Sequence, residues 1–223
     1  MSSPVIITLD GPAGVGKSTV ARAVAETVAL PYLDTGAMFR TLALKMGAGA
    51  EQCSEDSLRQ RCAAWHFTLK GCGGSSVLLC NDVPVGQEVR TEQVGMLASR
   101  VAALPVVRAC LKQAQRELAL SCSLVAEGRD MGTEIFPEAQ HKFFLDARPE
   151  VRAQRRQKEL AAQGSVVPLA ELTEQIRQRD TLDRTRAIAP LRPAADAVLV
   201  DTSDKDIAAV LAEIVSCIQR KGL

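Results

Sequence analysis

The stretch DGPAGVGKST, residues 10 to 19, constrains this chain more than any other. It fits GxxxxGK[ST] with Gly11, Gly16, Lys17 and Ser18. It directly follows the apolar run VIITL (5 to 9) and runs into STVARAVAETVA (18 to 29), whose apolar positions recur at helical spacing. A glycine-rich loop between strand and helix can turn its backbone N–H groups inward on phosphate oxygens, with the positive end of the helix behind them. Residues Gly11, Pro12, Ala13, Gly14, Val15, Gly16, Lys17, Ser18 and Thr19 are therefore the expected cradle of a nucleoside triphosphate. In that cradle Lys17 bridges the β- and γ-phosphates and the Ser18 hydroxyl ligates Mg²⁺.

The remaining pattern agrees with such a loop. Further short apolar runs, PYL (31 to 33), SLVAE (123 to 127), KFFLD (142 to 146) and AVLVD (197 to 201), alternate with helical stretches, which predicts an α/β fold on a parallel sheet. Residues 92 to 103 and 105 to 120 read as two helices parted by Pro105, and KDIAAVLAEIVSCIQRK (205 to 221) as a closing helix. The segment WHFTLKGCGGSSVLLCNDVPVGQEV (65 to 89) interrupts the alternation with short strand patterns, a Gly/Ser turn at 71 to 76 and an Asn81-Asp82 turn. It reads as a small antiparallel insert, either a substrate-side module or a surface elaboration. A chain of 223 residues with 47% hydrophobic content can bury one substantial core, so one main domain is expected.

Charge and cysteine usage exclude several classes. With 27 Lys+Arg against 26 Asp+Glu, no global field marks a nucleic-acid or membrane binder. No apolar run approaches the roughly 20 residues that span a bilayer. The first strand begins too early to follow a signal peptide, so a soluble cytoplasmic protein is expected. None of the seven cysteines falls in a CxxC pair or near a histidine at zinc-ligand spacing, which predicts reduced, mostly buried thiols. His66 and His141 are read as structural. A GTPase switch should carry NKxD and a DxxG after a strand; neither occurs, SDKD at 203 to 206 being the nearest approach. A motor ATPase needs a longer chain and a basic track. A small-molecule kinase remains, and it requires a second anion site facing the loop.

Arginines supply candidates for that site. Arg40 follows Asp34 by six residues in YLDTGAMFR, in a helix that begins near Thr35, so hydroxyl and guanidinium can meet one phosphate. Glu127, Gly128, Arg129 and Asp130 leave the run SLVAE at its carboxyl end, where open α/β sheets form their binding crevice. Arg179, Asp183 and Arg186 are spaced by four and three, on one helix face. This is either a binding face or a solvated one, with an ion pair worth only about 0.3 to 0.5 kcal/mol. Arg152, Arg155, Arg156 and Lys158 in VRAQRRQKEL read either as an amphipathic surface helix or as a mobile lid that neutralises charge moving between phosphates.

Four stretches, GPAGVGKST, YLDTGAMFR, EGRDMGTEIFP and RDTLDRTRAIAPL, joined by EVRTEQVGMLASRVAALPVVR (88 to 108), resemble the bacterial cytidylate kinases over essentially the whole length. The resemblance implies a P-loop NTPase-type core of five parallel strands flanked by helices, formed by residues 1 to 34, 121 to 147 and 187 to 223. It implies a CMP-binding region at 35 to 120 that carries the β insert near 65 to 89, and a short helical lid with its adjoining helix at 148 to 186. The implied reaction moves the γ-phosphoryl of ATP to CMP or dCMP with Mg²⁺, giving ADP and CDP or dCDP, in a monomer. It assigns Thr35, Arg40, Arg129 and Arg186 to the acceptor phosphate. Ser99, Arg108 and Asp130 go to the cytosine edge and Arg179 and Asp183 to the ribose, with Lys17, Arg129, Arg155 and Arg186 as catalytic charges. An ionised Asp130 can accept from the exocyclic amine of cytosine, and Arg108 can donate to N3 or O2.

The resemblance leads to an expected aspartate before GRD, where this chain has Glu127. The longer side chain is read either as holding a Mg²⁺-bound water or as structural. A kinase of UMP, dTMP or a metabolite alcohol is the alternative reading, as is an ATP-binding regulatory module without transfer activity.

Overall fold

The computed structural model describes residues 4–162 and 164–222. Five strands, β1 (Ile6–Asp10), β2 (Tyr32–Asp34), β6 (Leu124–Gly128), β7 (His141–Asp146) and β8 (Val198–Asp201), form one sheet in the order β2-β6-β1-β7-β8. Every neighbouring pair is parallel. Such a sheet must be covered on both faces, and the alternation along β1 shows how. Ile7 and Leu9 pack with Val125, Phe143 and Leu145 beneath α1 (Lys17–Thr27) and α8 (Ile207–Lys221). Ile6 turns the other way, into a cluster with Leu33, Leu124 and Ala126 under α2 (Thr35–Met46) and α5 (Pro105–Ser121).

All five expected strands are present, and each carries an acidic residue at its carboxyl end. Asp10 pairs with Gly128, and Asp34 pairs with Glu127. The ladder therefore carries polar side chains to the sheet's edge in register with one another.

The insert is a separate antiparallel sheet of β3 (Phe67–Lys70), β4 (Val77–Cys80) and β5 (Val83–Pro84). Asn81 and Asp82 make its tight turn with φ of 51° and 63°. The Gly/Ser turn does not hang free. Gly73 N–H donates to Leu30 O at 2.9 Å and Tyr32 N–H donates to Ser76 Oγ at 2.8 Å, which sews the turn to the start of β2. A helix not foreseen in the sequence, α3 (Glu55–Ala63), precedes the insert and is capped by Ser54. After the insert come α4 (Glu92–Val101) and α5, which meet at a 98° bend before Pro105. Among the described residues no single helix is long and apolar enough to cross a membrane.

Two expectations need correction. The helix α7 (Leu169–Thr185) stops one residue short of Arg186, which has extended backbone with φ −60° and ψ 142°, so Arg186 shares no helix face with Arg179 and Asp183. Freed from the helix, it turns back to donate from Nε to Ala189 O. The thiols are all free, but only Cys62 and Cys80 are buried, and Cys72 in the Gly/Ser turn is exposed. Of the histidines, His66 is exposed and His141 is buried in β7, where desolvation holds its imidazole below the usual range.

The loop after β1 depends on glycine at its first position. Gly11 has φ of 147°, and a Cβ there would lie 2.0 Å from Leu145 O of β7. Gly11→Ala is expected to lower the urea midpoint by the equivalent of about 1 to 3 kcal/mol from backbone strain alone. An unchanged midpoint would show that the loop has other ways to leave the strand.

Candidate active site

The site is built at the carboxyl ends of β1, β6 and β2. Asp10, the last residue of β1, is buried, and its two carboxylate oxygens accept from the N–H groups of Met131 and Gly132 at 2.8 Å each. Burial pushes its pKa up to about 6, against the pull of those two amides. Lys17 opens α1, and its Nζ donates to Pro12 O at 2.6 Å. Burial is the main reason its pKa falls to about 7; the neighbouring Arg129 and Arg179 lower it further while Glu127 and Asp10 oppose. The loop thus presents a desolvated amine among four charged groups.

The far side of the loop is held by α6 (Pro149–Ala162). Arg152 is buried, forks onto both carboxylate oxygens of Asp180 and donates from Nη1 to Ala13 O at 3.2 Å. Arg155 donates to Thr202 O at 2.6 Å and to Thr202 Oγ1 at 3.2 Å. The reading of these arginines as a surface helix therefore fails for Arg152 and Arg155, which face inward. A guanidinium on a long stem can span from helix to loop and match both oxygens of a carboxylate. Arg156, by contrast, pairs outward with Glu159 at 3.2 Å, and Lys158 is exposed.

On the β6 side, Glu127 is buried beside the loop. The Tyr32 phenol donates to its Oε1, and Ser18 lies near enough to lower the carboxyl's pKa. Burial, then the nearby Asp34, raises the Glu127 pKa. The Thr35 hydroxyl donates to Glu127 O at 2.6 Å, while Asp34 caps α2 and accepts from Arg90 at 2.6 Å. Gly128 is closely packed: a Cβ there would meet Met131 side-chain atoms at 2.7 Å and Thr35 Oγ1 at 2.9 Å. Arg129 donates from Nε to Asp183 at 3.1 Å, which joins β6 to α7.

Asp130 closes a second cluster. Arg108 of α5 pairs with its Oδ2, and Arg186 Nη2 stands 3.9 Å from its Oδ1. That Arg186 nitrogen is buried without a hydrogen-bond partner, and burial, with Arg108 next to it, lowers the arginine's pKa. Arg40 donates to Val89 O at 3.2 Å and Thr91 O at 3.1 Å. Its guanidinium lies where a Cβ on Gly95 would come within 3.0 Å. Ser99 is one turn further along α4 and returns its hydroxyl to Gly95 O at 3.2 Å.

Eight of the residues expected from sequence fall into two groups: Lys17, Ser18, Glu127, Arg129 and Arg179 around the loop, and Arg108, Asp130 and Arg186 beyond it; Thr35 and Asp183 adjoin the first through Glu127 and Arg129, whereas Arg40 and Ser99 bond to backbone carbonyls of 89 to 95 and Arg155 to Thr202. Asp10, Tyr32, Asp34, Arg90, Asp180 and Thr202 were not foreseen as site residues. Only Asp10, which adjoins Gly11, carried a local signal. For a magnesium ion the donor set fits: Ser18 and Glu127 offer a hydroxyl and a carboxylate side by side, the hard oxygen ligands that this cation takes.

Residues 7–220 match the family model described as cytidylate kinase. A cytidylate kinase of Nitratidesulfovibrio vulgaris (strain Hildenborough) is 58% identical over 98% of this chain and 94% of its own length. One of Oleidesulfovibrio alaskensis is 52% identical over 97% and 99%. One of Methylococcus capsulatus is 43% identical over 96% of each.

The depressed Lys17 pKa makes a prediction with a definite sign. A lysine lowered to about 7 is largely neutral at pH 8, and an anionic triphosphate restores its charge. Binding of MgATP at pH 8 is therefore expected to take up close to one proton. Calorimetry in buffers of different ionisation enthalpy reads this directly. Equal enthalpies in all buffers at pH 8, or an uptake that persists in Lys17→Met, would contradict it.

Proposed function

The chain belongs to the cytidylate kinase family, and on that footing we propose how its residues transfer the γ-phosphoryl of ATP to CMP or dCMP. The reaction gives ADP and CDP or dCDP, a step of pyrimidine nucleotide metabolism. The observation that carries the reading is the Arg108–Asp130–Arg186 cluster one strand away from the phosphate loop. The full-length relatives named above carry the same activity in their names, which disfavours a UMP, dTMP or alcohol kinase and a silent ATP-binding module.

ATP lies along Gly11 to Thr19, and Lys17 leaves Pro12 O for the β- and γ-phosphates. Mg²⁺ neutralises phosphate charge when bound, held by Ser18 and, through water, by Glu127. CMP enters on the other side of the crevice. Its phosphate takes Thr35, Arg40, Arg129 and Arg186; the buried Arg186 Nη2 has donor capacity to give. Its base separates Arg108 from Asp130 and takes their hydrogen bonds, with Ser99 alongside, and Arg179 and Asp183 border the ribose. Uracil would put an oxygen against the Asp130 carboxylate and leave both groups mismatched.

The acceptor is already an anion, so no general base is needed. Catalysis rests on alignment and on the positive charge of Lys17, Arg129 and Arg186 around the moving phosphoryl group. Arg155, bound to Thr202, serves by bracing the loop's outer side. Magnesium dependence, a monomeric state and a cytoplasmic location complete the reading.

A panel of acceptors with ATP and Mg²⁺ tests it. CMP and dCMP should turn over well above UMP and dTMP, and equal turnover of UMP and CMP would overturn the cytosine assignment. Asp130→Asn should reduce the CMP-over-UMP preference in kcat/KM at least about tenfold, since buried polar partners set such discrimination. A ratio equal to wild type would remove Asp130 from base reading. Lys17→Ala should lower kcat about 10²- to 10³-fold with every acceptor.

A further inference from the structure

Tyr32 is the single tyrosine of the chain, and the chemistry above does not use it. It is nonetheless buried at the edge of the site. In the register of β2 with β6, Tyr32 lies opposite Val125 and Asp34 opposite Glu127. Residues two apart on a strand share a face, so the ring runs along the same side of the sheet as Glu127, and its hydroxyl reaches Glu127 Oε1.

The ring is covered by one guanidinium, and both that guanidinium and the Tyr32 backbone are tied to the insert. Arg22, one helical turn beyond Ser18 on α1, places its Cζ 4.7 Å from the ring centroid. The same guanidinium donates to Gly74 O at 3.0 Å, in the insert's Gly/Ser turn. The Tyr32 N–H is held by Ser76 Oγ of that turn at 2.8 Å. A glutamate side chain without a partner samples several rotamers. Here one carboxylate oxygen accepts from a buried phenol, and Ser18 lies near the same carboxylate.

We infer that Tyr32 is a positioning residue for phosphoryl transfer: its phenol holds the Glu127 carboxylate against Ser18 and so sets the affinity for the divalent cation, without touching nucleotide or metal. The inference rests on the assignment of Ser18 and Glu127 to the magnesium side of the site. A tyrosine that merely supported the edge strand would affect thermal stability and leave cation affinity alone.

The test is Mn²⁺ binding to the enzyme with a non-hydrolysable ATP analogue, followed by the paramagnetic resonance of free Mn²⁺. It compares wild type, Tyr32→Phe, Glu127→Gln and the double variant, with CMP affinity and melting temperature measured in parallel. Tyr32→Phe should weaken Mn²⁺ binding about tenfold, as removal of a ligand-orienting partner does. It should leave CMP affinity unchanged and add nothing in the Glu127→Gln background. If Glu127→Gln leaves Mn²⁺ binding as in wild type, the metal assignment falls and this inference with it. If Glu127→Gln weakens binding but Tyr32→Phe does not, or if the two effects add, the inference on Tyr32 alone falls. Should Tyr32→Phe fail to fold, 3-fluorotyrosine gives the wild-type chain a single ¹⁹F resonance. That resonance should shift in Glu127→Gln and on Mg²⁺ addition to the ATP-analogue complex, and an unmoved resonance in either case overturns the inference.

Discussion

The carboxylate of Asp10 ties together the two halves of the site. It ends the central strand, precedes the first glycine of the phosphate loop, and accepts from two backbone amides just past the exit of β6. A buried carboxylate is costly unless hydrogen-bonded, and these amides are the partners that offset its burial. The pairing fixes the π-helical turn Met131–Ile135 against β1, and with it the direction in which Arg129 and Asp130 leave the strand. The glycine-rich loop and the Arg108–Asp130–Arg186 cluster, which we propose as donor and acceptor sites, thus leave neighbouring strands in register, where a loose phosphoryl transfer needs its two oxygens aligned and little covalent help.

Around this frame the site's charges are engaged with one another. Arg108 binds Asp130, Arg129 binds Asp183, Arg90 binds Asp34 and Lys17 rests on a loop carbonyl. The Arg108–Asp130 and Arg129–Asp183 pairings are of the kind that a nucleotide can replace: a carboxylate by a phosphate oxygen, an arginine donor by an amino group of a base. Desolvation strengthens what forms in exchange. The raised pKa of Asp10 and the lowered one of Lys17 record the same desolvation acting on opposite charges.

Much of this was legible in the sequence because the signals are local. The loop motif occupies ten consecutive residues, the five strands are short apolar runs, and Glu127 to Asp130 are contiguous. What was not legible depends on distant partners. Tyr32 and Glu127 are 95 residues apart, and Arg152 and Asp180 are 28 apart, so nothing in either neighbourhood marks the pairing. Arg186 was placed on a helix face because its spacing continues that of Arg179 and Asp183. The backbone turns extended there, and Leu191 N–H donates to Asp183 O at 2.8 Å, so tertiary contacts set the helix end. The thiols were expected inside because a free cysteine packs as a small apolar group, but Cys72 lies in an exposed glycine turn whose conformation is set by its neighbours.

The central claim, that donor and acceptor sites open side by side from adjacent strands, is tested most directly by one molecule that spans both. Adenosine and cytidine joined through a polyphosphate chain should compete with ATP and with CMP alike, and should bind at least about 10²-fold more tightly than either alone, as linked ligands do when the geometry permits both contacts. Competition with ATP only, at an affinity no better than that of ATP, would contradict the account.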